Sequence, residues 1–525
     1  MDQDQKVIEK GSENSERLQK ITSELERIHK GGSPKNHEKI KTLGKMFVRD
    51  RLKLYFDNGE PTYETGTFAN ATKKDLPADG VVTGAGKIND RLVYFTASDY
   101  TVKAGSIGRY HGEKILRMQE AAIKSKRPIV YMIDSSGGRI DEGGGYHSDK
   151  YSGGKIFYNH SIMSGRIPQI GVMYGPCFAG TAYMPVFCDF VVMLEGKAGM
   201  AIASPRMVQM ATGQKVDIEQ LGGAKMHAEK SGSVDFVVQT EEEAAEVVKK
   251  LLSYLPDSFE GKPPSAPPVP PTRDPLNIDN IIPKEPNQPY DVHELIESIV
   301  DGESFLEVKK SYAKELVTGF ARIDGRVVGI IANQPTVKGG AIFPDSSDKG
   351  ANFVWLCDAY GIPLLYLCDT PGFMVGTQVE EQGILRKGRN FIYATSVANV
   401  PKLCVIVRKA YGAGIYAMAG PAYEPDTTIA LPSAEVAIMG PEAAINAVYY
   451  NQLSQIPDPK QKAEFVKALR DQYRESYDIY KLAGDMLVDD LIIPGDLRKE
   501  LISRYEVFEN KEFPLPNKKH GTMLS

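Results

Sequence analysis

Hydrophobic residues recur at helical spacing in the first part of the chain. Between positions 12 and 30, the apolar residues that recur every three or four positions among charged ones are Leu18, Ile21, Leu25 and Ile28. This spacing predicts an amphipathic helix, which Gly31-Gly32 would end. A second amphipathic helix is expected from about Asn36 to Phe56. Residues 1–60 are therefore predicted to form an N-terminal helical segment.

Farther along, short apolar runs rich in Val, Ile and Tyr end in clusters of Gly, Ser or Asp, as at 129–133 and 403–407. Helical patterns follow them, for example over 112–126 and 381–397. This alternation of strand, glycine turn and helix predicts an α/β fold with a mainly parallel sheet. No apolar run approaches the ~20 residues that cross a bilayer, so we expect no membrane span.

The same pattern occurs twice in one order. Three blocks align at one common offset, namely 82–91 with 317–326, 101–105 with 336–340, and 128–134 with 363–369. Two later matches depart from that offset only slightly, as when Tyr183 pairs with Tyr416 and Pro205 with Pro441. Because these five matches keep one order at nearly one offset, the sequence predicts an internal duplication of a domain about 200 residues long.

A proline-rich stretch separates the two copies. Eleven of the 33 prolines lie between Pro256 and Pro289. Because proline fixes φ and has no N–H group, we expect an extended linker over 256–290, without a packed helix or a central strand. The predicted domains are then 61–255 and 291–525. A linker at mid-chain needs no binding partner.

Composition and charge narrow the class of protein. The 525 residues are 42% hydrophobic and 25% charged, as in folded globular proteins. A net charge of −5 gives no general attraction to nucleic acid or anionic membranes. The five cysteines form no C-x-x-C pair, and the N-terminus has no secretory signal. We therefore expect a protein of the cytoplasm or of an organelle matrix.

Four glycine-rich turns follow strand-like runs, two in each copy. They begin at Asp134, Gly175, Asp369 and Lys409. Small residues let a ligand approach the backbone, and a helix that starts there leaves its first N–H groups unpaired. Such a turn can bind phosphate, a carboxylate or an enolate. A single turn of this kind is often only architectural, but the duplicated pairing favours a function.

Several common motifs are missing from the sequence. It has no G-x-x-x-x-G-K-[ST], no H-E-x-x-H and no convincing G-x-G-x-x-G. Ser135 and Ser136 do not lie in G-x-S-x-G, and the eight histidines do not cluster. The sequence therefore predicts no ATP site, no metal site and no catalytic triad.

The turns resemble those of one family, the carboxyltransferase component (β subunit) of biotin-dependent acyl-CoA carboxylases. The resemblance covers about 40–520. Its most specific pieces are the segments that begin at Asp134, Gly175, Leu221, Asp369 and Tyr411. It implies two tandem crotonase-like domains built of spiral ββα units. It also implies a homohexamer whose active sites lie at dimer interfaces, between the first domain of one chain and the second of another.

By this resemblance, backbone amides stabilise two oxyanions while a carboxyl group moves from carboxybiotin to an acyl-CoA. The enolate of the acyl-CoA would bind at Ala179 and Gly180. The biotin end would bind at Gly412, Ala413 and Gly414. The internal repeat pairs the first two of these with the enolate turn, whereas the family pattern favours the last two. In the family biotin itself is the base, so no catalytic side chain is implied.

The resemblance also implies contacts around these turns. Gly137, Gly138 and Arg139 would approach CoA, and Arg139 is as well explained by a structural ion pair. The residues implied on the biotin side are Gly372, Phe373 and Tyr411. We interpret His227 as a packing residue rather than a ligand, because the sequence places no partner histidine or carboxylate beside it.

Biotin must arrive on a partner, because the chain has no Ala-Met-Lys-Met stretch. The implied partner is a biotin carboxylase or biotin carboxyl carrier subunit. The acyl group stays open: segments 157–164 and 372–376 resemble the methylcrotonyl-CoA branch, whereas 369–372 and 139–140 resemble the propionyl- or acetyl-CoA branch.

Two other activities remain as alternatives. One is the reverse reaction, in a biotin-dependent acyl-CoA decarboxylase complex. The other is a crotonase-type hydratase or isomerase, which requires paired carboxylates near the oxyanion turn, for which Asp141 and Glu142 are the candidates. A non-catalytic scaffold is disfavoured, because it would need no duplicated anion-binding turns.

Overall fold

The computed structural model describes residues 2–139, 142, 153–475 and 478–512. The chain divides into two compact units, 1–260 and 261–525. Each unit contains a mixed sheet with helices around it, and each is described by itself. Among the described helices, none is long and apolar enough to cross a membrane.

The first unit contains nine strands and ten helices in its described part. The strands are β1 (Tyr63–Glu64), β2 (Val81–Ile88), β3 (Arg91–Ser98), β4 (Ile129–Ile133), β5 (Gln169–Met173), β6 (Pro176–Phe178), β7 (Phe190–Leu194), β8 (Gly199–Ala201) and β9 (Phe236–Val238). The helices are α1 (Asp2–His29), α2 (Pro34–Thr42), α3 (Val48–Tyr55), α4 (Arg109–Ser125), α5 (Gly154–Met163), α6 (Tyr183–Val186), α7 (Pro205–Thr212), α8 (Ile218–Gly222), α9 (Ala224–Met226) and α10 (Glu241–Tyr254).

The second unit has eight strands and ten helices in its described part. The strands are β10 (Leu306–Val308), β11 (Leu316–Ile323), β12 (Arg326–Asn333), β13 (Leu364–Thr370), β14 (Lys402–Tyr411), β15 (Thr427–Ala430), β16 (Glu435–Ala437) and β17 (Asp490–Leu491). The helices are α11 (Ile278–Ile281), α12 (Val292–Ile299), α13 (Pro344–Ala359), α14 (Thr377–Glu381), α15 (Ile384–Val397), α16 (Gly414–Ala417), α17 (Pro441–Ser454), α18 (Pro459–Glu475), α19 (Ile479–Gly484) and α20 (Leu497–Phe508).

The two sheets have the same topology. Their strand orders are β1-β2-β3-β4-β5-β7-β9 and β10-β11-β12-β13-β14-β15-β17, antiparallel at the first strands and parallel thereafter. The pairing of Val81 with Ser98 has its counterpart in that of Leu316 with Asn333, at the offset of the aligned sequence blocks. The α/β fold and its internal duplication are thus confirmed down to the register of the strands.

A pair of buried lysines repeats at the same offset. Lys114 on α4 and Lys349 on α13 are 5% and 2% exposed. Each ammonium donates to a carbonyl of the segment between the first and second strands of its sheet, Lys114 to Ala78 and Lys349 to Tyr312. Desolvation lowers the pKa of Lys114 to about 7 and that of Lys349 to about 8. The two copies therefore share interior contacts as well as strands.

The N-terminal segment is helical, but the second predicted helix is wrong as one continuous element. It breaks between α2 and α3, where Gly44 has a φ of +62°. A helix cannot continue through that left-handed conformation. The predicted helix over 381–397 is divided similarly, because Gly383 has a φ of +78° between α14 and α15.

The proline-rich stretch differs from the expected helix-free spacer. From residue 261 onward it belongs to the second unit and contains the short helix α11, whose Ile278 is fully buried. Proline retains its carbonyl, so the stretch serves as a set of acceptors. Arg322, for example, donates to the Pro264 carbonyl at 2.7 Å. The exact domain limits remain a prediction.

Candidate functional site

Each sheet ends its third long strand in a glycine-rich turn. The first follows β4 and the second follows β13. Gly137 and Gly372, which are equivalent in the internal repeat, have φ values of 101° and 112°. Isolated bridges join Ile107 to Gly138 and Ile342 to Phe373, again at equivalent positions. The structure thus gives the predicted CoA-side and biotin-side glycines the same local backbone.

The second turn of each unit follows β6 or β14. Ala179 and Gly412, the equivalent residues of these two turns, have φ values of 58° and 55°. A short 3₁₀ helix begins at Ala179, and α16 begins at Gly414. In both units, therefore, a short helix begins within the turn; Ala179, Gly180 and Ala413 are exposed, whereas Gly414 is buried.

The amides of these turns are used differently. The Gly412 N–H donates to the Ala437 carbonyl at 3.0 Å. Among the described residues, no acceptor takes a hydrogen bond from the amides of Ala179, Gly180, Ala413 or Gly414. The amide donors left open in the second unit are thus those of Ala413 and Gly414 rather than that of Gly412.

The space around the glycines differs as well. A Cβ built on Gly180 would meet nothing within 4 Å. A Cβ built on Gly414 would lie 2.8 Å from the Gly372 Cα and 2.9 Å from the Thr370 Cγ2. Gly180 is therefore open toward solvent, whereas Gly414 lets the two turns of the second unit touch.

An apolar groove of about 430 Å³ lies beside the short 3₁₀ helix that begins at Ala179, with Ala182 of that helix in its lining. Its walls include Tyr183 and Val186 on α6, together with Ile202 and Leu221. His227 lines the groove, but both its ring nitrogens are hydrogen-bonded, Nε2 to the Met200 carbonyl and Nδ1 to Ser231. The histidine is thus held in place by its neighbours.

Arg139 lies in a buried ion-pair cluster. Its guanidinium contacts the Asp79 carboxylate at 2.5 Å and that of Glu142 at 3.2 Å, and the residue is 5% exposed. Hydrogen bonds to Arg139 and Asn70 hold the pKa of Asp79 below its usual value despite burial. Two roles were predicted for Arg139, a contact with CoA and a structural ion pair, and this geometry is that of the ion pair. Asp141 lies outside the described residues.

On the biotin side, a cavity of about 380 Å³ lies beside Tyr411. The Tyr411 hydroxyl donates a short hydrogen bond to the Glu435 carboxylate. Phe373 packs over α15, where a Cβ on Gly388 would lie 2.8 Å from its ring. A Cβ built on Gly372 would lie 3.2 Å from the Tyr411 carbonyl oxygen, so Gly372 in the first turn lies close to Tyr411 in the second.

Neither Cys177 nor Ser135, two potential nucleophiles in the described part of the turns, is activated. Burial raises the pKa of the Cys177 thiol to about 11, so it is protonated at neutral pH. The Ser135 hydroxyl accepts from the Gly137 amide at 3.1 Å. Among the described residues, no group of His, Cys, Asp and Glu could hold a metal ion.

In each unit, one buried aspartate is paired with two cationic side chains, and neither cluster was predicted from the sequence. Asp134 and Asp369, the first residues of the turns after β4 and β13, are 0% and 1% exposed. Asp134 contacts Lys45 and Arg51, while Asp369 contacts Arg408 and Lys409. The repeat of Asp134 at Asp369 was the available signal, but nothing in the local pattern indicated the cations.

Residues 39–523 match the family model of the carboxyl transferase domain. The chain belongs to the carboxyl transferase domain family. An uncharacterized carboxylase of Bacillus subtilis is 50% identical over 95% of this chain and 97% of its own length. A propionyl-CoA carboxylase carboxyltransferase subunit of Haloferax mediterranei is 37% identical over 97% of this chain and 99% of its own.

A solved structure agrees with this family. The transcarboxylase 12S hexamer with methylmalonyl-coenzyme A bound superposes with a TM-score of 0.89. It is 37% identical and covers 97% of this chain and 98% of its own. The predicted carboxyl transferase family, crotonase-like fold and enzyme class are confirmed, as is the class of cofactor: biotin on a partner, with an acyl-CoA as substrate.

Proposed function

We propose that this carboxyl transferase transfers the carboxyl group of carboxybiotin to a short or branched acyl-CoA, and that paired backbone amides in its two units stabilise the oxyanions. The observation that supports this most is the repeated turn at Ala179 and Gly412, which has one backbone conformation in both sheets. A reaction that develops two oxyanions needs two such turns.

In the first unit, the amides of Ala179 and Gly180 are the proposed donors to the thioester enolate oxygen. Both residues are exposed, and no side chain approaches Gly180. The adjoining apolar groove supports an acyl-CoA here, because it offers apolar walls next to amide donors. Each oriented donor is worth ~2.7–4 kcal/mol of transition-state stabilisation.

In the second unit, the amides of Ala413 and Gly414 are the proposed donors to the biotin side. Gly412 is excluded as a donor, because its amide already binds the Ala437 carbonyl. The close contact between Gly372 and Gly414 supports this assignment, because a side chain on Gly414 would block the turn. Bound carboxybiotin supplies the carboxyl group and accepts the proton, so this chain needs only to bind and orient.

We further propose that Gly137 and Gly138 approach CoA through their backbone, while Arg139 anchors the turn through Asp79. The acyl-CoA turn of one chain and the biotin-side turn of another would meet at a dimer interface of a homohexamer. The resemblance to the hexameric transcarboxylase 12S structure supports that assembly. The partner would be a biotin carboxylase and biotin carboxyl carrier subunit.

Two alternatives are outcomes of the same test. The decarboxylase direction uses the same amides, because a transition state is shared by forward and reverse reactions. A hydratase needs a free carboxylate, but Glu142 binds Arg139 and accepts from the Arg109 amide at 3.1 Å. That engagement disfavours Glu142 as a general base.

The test is a panel of acyl-CoAs assayed with the biotin-carrying partner, ATP and labelled bicarbonate. Acetyl-, propionyl-, butyryl- and methylcrotonyl-CoA would be compared by kcat/KM for label incorporation. Transfer to one of them is expected. Release of CO₂ from a malonyl-type CoA without any forward transfer would instead identify the decarboxylase direction. A folded protein that does neither, but hydrates an enoyl-CoA, would overturn the proposal.

A further inference from the structure

The buried Asp369 connects the two glycine-rich turns of its unit by hydrogen bonds, and the buried Asp134 lies against the second turn of its own unit. In the second unit, Asp369 Oδ1 accepts from the Lys409 amide at 3.2 Å, and its Oδ2 accepts from Arg408 Nε at 3.0 Å. Both donors lie near the end of β14, where the second turn begins. The first residue of one turn is thereby bonded to the start of the other.

In the first unit, Asp134 is instead packed against a position of the second turn that carries no side chain. Gly175 is the counterpart of Arg408 in the alignment that pairs Ala179 with Gly412. A Cβ built on Gly175 would lie 2.1 Å from Asp134 Oδ1 and 2.6 Å from Lys45 Nζ. The Asp134 carboxylate and the Lys45 ammonium that pairs with it therefore fill the space that a side chain on Gly175 would need.

Lys45 lies in the segment between α2 and α3, and its side chain extends from there to Asp134. Its Nζ lies 2.5 Å from Asp134 Oδ1 and 4.0 Å from the centre of the Tyr100 ring. Arg51 completes the cluster, with Nη2 at 3.5 Å from Asp134 and Nε at 2.5 Å from Glu241. Every charged member of the cluster is buried, so each charge needs its partner.

In the second unit, the cations that pair with Asp369 also donate hydrogen bonds to carbonyls of the proline-rich stretch. Arg408 donates to the carbonyls of Glu285 and Gln288 at 3.1 and 2.7 Å, and Lys409 donates to that of Pro286 at 2.8 Å. The Arg408 guanidinium also stacks 4.9 Å from the Tyr290 ring. The aspartates of the two units are thus neutralised by cations from different parts of the chain.

We infer that Asp134 and Asp369 are positioning residues that fix the spacing between the two turns of each unit, and that Lys45 performs in the first unit the role of Arg408 in the second. In this assignment these residues touch neither substrate nor cofactor. The expected effect on the reaction rate rests on the proposed function. An oxyanion site displaced by about 1 Å can lose ~100-fold in rate.

The test compares Lys45→Met with Lys41→Ala in the full-length protein. Met fills the same space without charge, and Lys41 is an exposed control in the same segment, 71% exposed and paired with Glu38. For Lys45→Met we expect kcat to fall ~10- to 100-fold with the KM for acyl-CoA changed less than threefold, because positioning rather than binding is lost. Lys41→Ala should match the wild type.

Hydrogen–deuterium exchange separates this inference from the proposed function. Peptides covering 134–139 and 175–182 should exchange faster in Lys45→Met, whatever reaction the protein catalyses. Lys45→Ala adds a rescue arm, in which ethylammonium but not ethanol or sodium ion restores at least part of the lost kcat. Unchanged exchange together with kcat within threefold of wild type would overturn the inference. A wild-type protein without transfer activity would overturn only the proposed function.

Discussion

Ala179 and Gly412 share a left-handed backbone conformation at equivalent positions of the two units, with φ values of 58° and 55°. For alanine this conformation costs ~1–2 kcal/mol, whereas glycine adopts it freely. The first unit therefore carries local strain that the second avoids. A strained residue at a proposed oxyanion turn is consistent with a backbone held for function.

Reciprocal substitutions at these positions should have unequal effects. Gly412→Ala should destabilise the protein by ~1–2 kcal/mol, because it adds the strain and a Cβ 3.3 Å from the Ile438 carbonyl. Ala179→Gly should change stability by less than about 1 kcal/mol, since relief of strain is offset by a more flexible unfolded chain. Thermal unfolding measures both. Loss of transfer activity in Ala179→Gly would contradict the assignment to a backbone amide.

Gly180→Val should reduce acyl-CoA turnover by two orders of magnitude or more. The valine side chain would project into open space above the turn, where it blocks the approach of the ligand without removing a functional group. The fold should persist, because no atom lies within 4 Å of the added Cβ. Steady-state kinetics and size-exclusion chromatography test the two parts of this prediction.

Cys177→Ser is the matched control for that variant. The thiol is buried and its raised pKa of about 11 leaves it protonated, so we assign it no chemical step. Its turnover should stay within a few-fold of wild type. An inactive but well-folded Cys177→Ser beside a fully active Gly180→Val would require a thiol mechanism instead.

Arg139→Met should destabilise the first unit by ~3 kcal/mol or more, because it leaves the buried Asp79 carboxylate unpaired. Met374 stands at the equivalent position of the second unit, where the side chain is 42% exposed and has no buried carboxylate to neutralise. Asp79→Asn combined with Arg139→Met should cost less than the two single changes together. Chemical denaturation of the three variants gives the coupling energy, and strict additivity would exclude the ion pair as the anchor.

His293 should make the second unit more stable at low pH than at high pH. Hydrogen bonds to Glu307 and Asp291 raise its pKa from 6.5 to about 9. A raised pKa contributes stability in full below the unfolded value of 6.5, and that contribution is lost as pH rises through 9. The thermal midpoint of His293→Gln should fall below that of wild type at pH 6, and the difference should shrink by pH 10.

The repeat in the sequence predicted a large part of this architecture. Blocks aligned at one common offset anticipated the shared register of Val81–Ser98 and Leu316–Asn333. The alignment succeeds because strand pairing depends on local alternation and on glycine turns, which the chain keeps in both copies. The sequence alone therefore predicted the positions of the turns.

The support beneath the turns was not predictable in the same way. Lys45 reaches Asp134 across 89 residues and Arg51 reaches Glu241 across 190. Charge pairing at such separation follows from the tertiary fold and leaves no periodic signal. The surroundings of Arg139 illustrate the same limit, since the sequence allowed both a ligand contact and an ion pair and only the neighbouring Asp79 carboxylate favours one of them.

The cations around Asp134 come from the N-terminal segment, and this limits how far the protein can be truncated from its N-terminus. A protein that began at residue 61, the predicted start of the first domain, would contain the whole sheet of the first unit but neither Lys45 nor Arg51. Asp134 and Glu241 would then be left in the interior without their counterions. The first unit therefore needs Lys45 and α3, which lie upstream of its first strand, to keep these buried carboxylates paired.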